Sequence, residues 1–372
     1  MNRRYRTAIF ALAFVMQCGL AHAGMRVEIT DPRYFETPHK IIFPWAEIKL
    51  VSFEFEATGD DAQGKQRAIE LHDQFLAKIH DLQGGAIITY VTPKGQKISN
   101  YRVKALDVAE QQKAQMALWG RIILDSSGAA LINARLMLVT PPPGISARYA
   151  KAASQDEGGL PVEVLGLIDA PVTEMRIDFN TLKTDVTPLA YFLSGLARYY
   201  KGAVREGNEA KRWLQGSIDD LNVFVKQMSE AQDRGALSQA HVYLARAYFH
   251  LANADPARAS DLLLKASNHA KRAADLNPYD PSVPAVQAVI AVKQDADPGD
   301  ARAYLMRAAE LAPTDKNIWV SLAVMNSSQG KMEAAKRQLD NATLVQRIQD
   351  EAPLPAIQNL QRQIETYQQE AR

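Results

Sequence analysis

KNIWVSLAVMNSSQGKMEAAKRQLDNATLVQR, residues 316–347, carries two apolar stripes separated by a glycine. Leu322 and Ala323 lie three and four residues after Trp319, and Ala335, Leu339 and Ala342 follow one another by four and three. Such spacing sets side chains on one face of a helix, and Gly330 between the stripes supplies a turn. The stretch predicts two helices folded back on each other, the small residues of the second letting its neighbour approach closely.

Working outward, the same trio, with steps of four and three, recurs at Ala210, Leu214 and Ser217, at Ala266, Ala270 and Ala273, and at Ala301, Leu305 and Ala308. Pro278 and Pro313 follow the second and third trios by five residues and end those helices. In this pattern the region resembles the tetratricopeptide repeat (TPR), a unit of about 34 residues in two antiparallel helices. Lys316 to Arg347 fits best. A unit from Ser238 to Pro278 contributes Leu244, Ala245 and Tyr248 but is longer than the standard repeat, so its helices or turn must be extended. A unit from Pro188 contributes Tyr191, Gly195 and Gly202, and the unit ending at Pro313 has an ambiguous first helix. Residues 352–372, with Ile357, Leu360, Ile364 and Tyr367 on one side, are expected to form a capping helix.

Upstream, Glu47 to Glu56 alternates at period 2 and predicts a half-buried strand. Gln66 to Leu82 predicts a helix with Ile69, Phe75, Leu76 and Ile79 on its apolar face, stopped by Gly84 and Gly85 before a strand from Ala86 to Val91. A second helix is expected over Val108 to Met116, then a hairpin of Leu118 to Leu124 with Ala130 to Val139 around the turn Asp125 to Gly128. Pro141 to Gly144 and Ala152 to Gly159 read as loops, and Val162 to Ile168 and Met175 to Phe179 as two further strands. With the phrases Leu118-Trp119-Gly120-Arg121-Ile122-Ile123 and Ala134-Arg135-Leu136-Met137-Leu138-Val139, this order resembles the N-terminal domain of TolB and the CsgG-like and FlgO-like periplasmic domains. That resemblance implies an α/β domain that assists envelope assemblies.

The chain opens with Arg3, Arg4 and Arg6, an apolar run from Ala8 to Val15, and Ala21-His22-Ala23. This is the order of a secretory signal cleaved after Ala23. The apolar run is far short of the ~20 residues that span a bilayer. Arg6 fits a twin-arginine signal poorly, and Gln17 before Cys18 fits a lipoprotein poorly. Cleavage removes the one cysteine, leaving no disulfide or thiolate.

The expected fold class is α+β: residues 1–23 signal, 24–180 a mixed α/β sheet domain, 187–347 an all-α TPR-like helical solenoid, and 352–372 the cap. The 372 residues hold 47% hydrophobic and 23% charged residues, and 43 Lys and Arg stand against 42 Asp and Glu. That composition excludes wholesale disorder, and the balance lacks the basic surface of nucleic-acid binding. No phosphate loop, nucleophile elbow or dinucleotide fingerprint occurs in the sequence. His72 and His80 lie about 12 Å apart along one helix and read as solvated pairs with Asp73 and Asp81, while His241, His250 and His269 are scattered. No metal, cofactor or catalytic residue is expected.

The leading functional expectation is a periplasmic interaction protein with a protein or peptide partner in the cell envelope. Two others stand beside it: a hydrolase of envelope polymers with the repeats as substrate adaptor, and a structural subunit of a secretion, pilus or flagellar apparatus. The TPR resemblance implies that the first helix of each pair lines a concave face, which turns Tyr199, Tyr200, Tyr243, Arg246, His250 and Lys293 toward a binding groove. Aromatic and arginine side chains are the types that anchor partners.

Overall fold

The computed structural model describes residues 28–29, 48–53, 55–57, 62–83, 88–91, 105, 108–109, 111–114, 116–124, 130–138, 176–183, 185–203, 205–228, 233–294, 298–348, 361–362 and 365. The described residues are mostly helical, with a small sheet followed by a helical repeat-like region. The signal-like residues 1–23, the loops after Pro141, the expected strand Val162 to Ile168, and the cap apart from positions 361, 362 and 365 lie outside the described residues.

Strands β1 (Glu28–Ile29), β2 (Ile48–Ser52), β3 (Glu56–Ala57), β4 (Ile88–Val91), β5 (Met116–Leu124), β6 (Ala130–Leu138) and β7 (Arg176–Lys183) make one sheet in the order β1-β4-β2-β5-β6-β7, with β3 also on β5. Neighbours from β1 to β5 run parallel, and β5, β6 and β7 run antiparallel. The expected hairpin is present, with Met116 opposite Leu138 and Leu124 opposite Ala130.

Three local expectations do not hold. The strand over Glu47 to Glu56 is two strands, and β2 is buried on both faces: Leu50, Val51, Ser52 and Phe53 are all inaccessible. Its place between parallel β4 and β5 explains this, because parallel strands are covered from both sides. Leu50 belongs to the core with Phe75 and Ile79, whereas Val51 and Phe53 pack with Ala105, Ala109 and Trp119. The helix expected to Met116 stops earlier. Lys113 has φ 51 and Met116 already pairs with Leu50 and Leu138, so ladder formation overrides the local helical spacing. On α1 (Ala62–Gln83), Phe75, Leu76 and Ile79 are buried as expected, but Ile69 is 46% exposed and Ala68, Leu71 and His72 take its place in the core.

The repeats follow as four helical hairpins among the described residues: α2 (Thr187–Ala203) with α3 (Gly207–Gln227), α4 (Arg234–Ala254) with α5 (Ala259–Leu276), α6 (Ser282–Lys293) with α7 (Pro298–Leu311), and α8 (Lys316–Ser328) with α9 (Met332–Ile348). Short connections make the two helices of a pair antiparallel neighbours. All twelve trio residues are buried. Two glycines permit the close approach in the first pair: a Cβ on Gly195 or Gly202 would come within 2.7 Å of Leu221 or Leu214. Gly330 turns the last pair with φ +71, its N–H donating to the Ser327 carbonyl. The extra length of the second unit goes into the helices, of 21 and 18 residues, and a 3-10 turn at Pro256–Arg258. A continuous apolar core runs from Leu50 and Phe75 through Phe192 and Tyr243 to Leu322.

Candidate functional site

Tyr199 and Tyr200 on α2 and Tyr243 on α4 meet where the two inner helices face each other. Their ring centroids lie 5.2 to 6.2 Å apart, and the Tyr200 and Tyr243 hydroxyls are hydrogen-bonded at 3.0 Å. Phe192 stands edge-on to Tyr243 and to Phe224, His250 lies 5.7 Å from Tyr199, and the Arg246 guanidinium lies 5.3 Å from the Tyr243 ring centre. Arg246 also reaches across the array electrostatically to Asp315, which caps α8 by accepting from the Asn317 N–H at 2.9 Å. Burial pushes the Asp315 carboxyl up, and that backbone hydrogen bond with the charges of Lys316 and Arg246 offsets part of the rise.

The groove placement is therefore corrected for four of its six residues. Tyr199, Tyr200 and Tyr243 are fully buried and Arg246 is 4% exposed, His250 is half-buried, and Lys293 is exposed. The register taken from the repeat family assumes an open inner side. Here the inner helices are covered nearly all round: from Ser282 to Ala291 on α6, only Gln287 is not buried. Aromatic edge-to-face packing and the hydroxyl pair account for the tyrosines as core residues.

A polar junction ties the sheet side to the first hairpin. Arg198 on α2 donates to the Leu82 carbonyl of α1 at 2.5 Å and pairs with Asp220 of α3 at 3.0 Å, and Ser194 donates to Asp220 at 2.6 Å. Burial raises the Asp220 carboxyl, opposed by Ser194 and Arg198. Lys78 of α1 lies 5.5 Å from the Tyr191 ring centre on the same boundary.

The histidines depart from expectation as well. His72 is not a surface residue; it is buried against Ser52, with Nε2 at 2.9 Å from Oγ, and burial lowers it to about 4. Both members are inaccessible beside Phe55, so a Ser–His pair capable of nucleophilic chemistry elsewhere has no route to a substrate here. His241 and His269 come together with their Nδ1 atoms 2.9 Å apart. The sequence held a signal for that contact: in an antiparallel hairpin, residues equally distant from the turn meet, and both stand fourteen residues from Asp255, the C-cap of α4. Among the described residues, no three His, Cys, Asp or Glu side chains gather as a metal site, and no helix is long and apolar enough to cross a membrane.

The exposed apolar side chains of the array lie elsewhere. The large ones are Leu264 on α5, Tyr279 in the α5–α6 connection, Tyr304 on α7 and Leu344 on α9. Trp213 on α3 is flanked by Lys201 and Arg212, at 4.4 and 4.9 Å from its ring centre.

No protein-family model matches the chain, and no curated protein sequence matches it. Among solved structures, it is similar to TTC0263, a thermophilic TPR protein of Thermus thermophilus, at 17% identity and a TM-score of 0.34, over 49% of this chain and 89% of that one. It is similar to Acl4, an assembly chaperone of RpL4, at 14% identity and 0.34, over 50% and 70%. It is also similar to MamA protein at 17% identity and 0.26, over 45% of this chain and 98% of that one.

Proposed function

We propose that the chain is an exported interaction protein, a helical-repeat scaffold that holds a protein partner in an envelope assembly. The observation carrying this reading is the run of stacked hairpins, whose second helices present long solvent-facing sides suited to broad protein contacts. Leu264, Tyr304 and Leu344 supply accessible apolar area there, and Tyr279 in the α5–α6 connection and Lys293 on α6 are exposed as well, in place of the buried tyrosines. Export rests on the basic, apolar and A-x-A order of residues 1–23. The TolB-like phrases of β5 and β6 assign docking on the assembly to the sheet side, and the proposed units are residues 24–180 and 187–347.

The test is affinity capture from envelope extracts by the mature chain, repeated with Tyr279→Ala and Tyr304→Ala combined. A reproducible protein partner, retained about tenfold more weakly by the variant (~1.4 kcal/mol), is expected. Turnover of cell-wall material without a retained protein overturns the reading in favour of a hydrolase, and fixed-stoichiometry co-purification with a secretion, pilus or flagellar apparatus in favour of a structural subunit. Export predicts an intact mass beginning at Gly24 in the periplasmic fraction; a full-length chain or a lipid on Cys18 contradicts it.

A further inference from the structure

His241 on α4 and His269 on α5 bring two imidazole Nδ1 atoms to 2.9 Å, with ring centres 5.1 Å apart at 29°. His269 in turn stacks on Tyr248 at 5.4 Å and 10°. Two ring nitrogens at that distance form a hydrogen bond only when one carries a hydrogen and the other a lone pair. Two neutral rings satisfy this, and so does a pair holding one extra proton. Two imidazolium rings do not: both nitrogens then carry hydrogens pointing at each other, with two positive charges in a largely buried place.

The surroundings oppose protonation. Burial lowers both rings to about 4, and for His241 the charges of His269 and Arg272 add to the effect. Several other charged groups near this hairpin are engaged elsewhere. Lys265 on α5 is held by Asp261 at 2.9 Å, Lys211 from α3 by Asp255 at 3.1 Å, and Arg234 on α4 by the Asp275 carbonyl at 2.9 Å. Asp280, before α6, bonds Gln239 and Ser282. Among the described residues, no carboxylate of α3, α4, α5 or α6 bears on either ring to favour its charged form.

We propose that the His241–His269 pair is an acid-sensitive latch on the α4–α5 hairpin, closed while the rings hold at most one extra proton and opened when both are protonated. The unfolded chain takes up these protons near the ordinary histidine value of about 6.5, before the folded chain does. The latch's stability is therefore complete above that value and is lost as pH falls toward 4. Because α4 carries Tyr243 and Arg246, opening the latch loosens the helix that holds the aromatic seam.

The test is equilibrium unfolding of the full chain at pH 7 and pH 5 in wild type, His241→Asn, His269→Asn and His72→Asn. Between those pH values the unfolding constant of wild type should rise at least about tenfold more than that of either latch variant, and the same excess should separate His72→Asn, which loses only its own ring's contribution, from its doubles with His241→Asn or His269→Asn. Equal pH dependence in wild type and the latch variants overturns the proposal. Should a latch variant not fold, amide exchange of wild type decides: protection factors in α4 and α5 should fall about tenfold more than those in α8 and α9. A uniform loss along the array, or none, overturns the proposal.

Discussion

The first and second helices of each hairpin are built on opposite plans. In α6 the sequence SVPAVQAVIAVK is apolar on every side, and its side chains are buried almost throughout. In α9 a single stripe of Ala335, Leu339, Ala342 and Val345 is buried, while Lys336, Arg337, Asp340 and Asn341 face water. A helix apolar all round belongs inside a structure, and one with a stripe belongs on its surface. The inner side of this array is therefore core, and the exposed surface belongs mainly to the second helices.

The largest test of that contrast sets one residue of each kind side by side. Tyr243→Ala removes a buried ring and its hydroxyl partner and should cost about 3–5 kcal/mol in denaturant unfolding, whereas Leu264→Ala on α5 should stay within about 0.5 kcal/mol. Similar costs for the two would erase the distinction. Next comes the junction with the sheet. A fragment beginning at Asp185 loses the Leu82 carbonyl from Arg198 and the α1 face from α2, so it should keep its helical circular dichroism yet melt below the full chain. A melting temperature equal to that of the full chain would make the sheet and the array independent.

Acid acts on three histidines, His72 of α1, His241 of α4 and His269 of α5. His72, His241 and His269 are all lowered by burial, so each contributes stability that is present above pH 6.5 and falls by up to about 1.4 kcal/mol per pH unit toward pH 4. Asp220 and Asp315, raised by burial, work in the opposite direction, since the folded chain binds their protons first. Net loss of stability between pH 6.5 and 4.5, measured by urea midpoints, is the expected outcome. Smallest is Gly330→Ala, which meets no atom but must hold a left-handed backbone; about 1 kcal/mol is expected.

The hairpins were legible because their signal is local. Ala335, Leu339 and Ala342 need only helical spacing to declare a face, and each trio found its partner helix within the same hairpin. Contacts between hairpins are not written in spacing. Nothing in the period of α2 and α4 distinguishes Tyr199 and Tyr243 as groove residues from the same residues as a seam, because that depends on what lies on the far side of both helices. The sheet failed for a related reason: the alternation of Glu47 to Glu56 describes one strand, while the burial of Val51 and Phe53 is decided by β4, β5 and the helical residues Ala105 and Ala109, distant in sequence. His72 looked solvent-facing beside Asp73, and its partner Ser52 lies twenty residues away.

Tyrosine nitration of the native full chain at neutral pH, read residue by residue by peptide mass, addresses the burial of the inner side most directly. Tyr279 and Tyr304 should be modified readily, and Tyr199, Tyr200 and Tyr243 should stay protected until the chain is unfolded. Modification of Tyr243 at the rate of Tyr279 in the folded protein would contradict the account, because the inner side would then be an open groove.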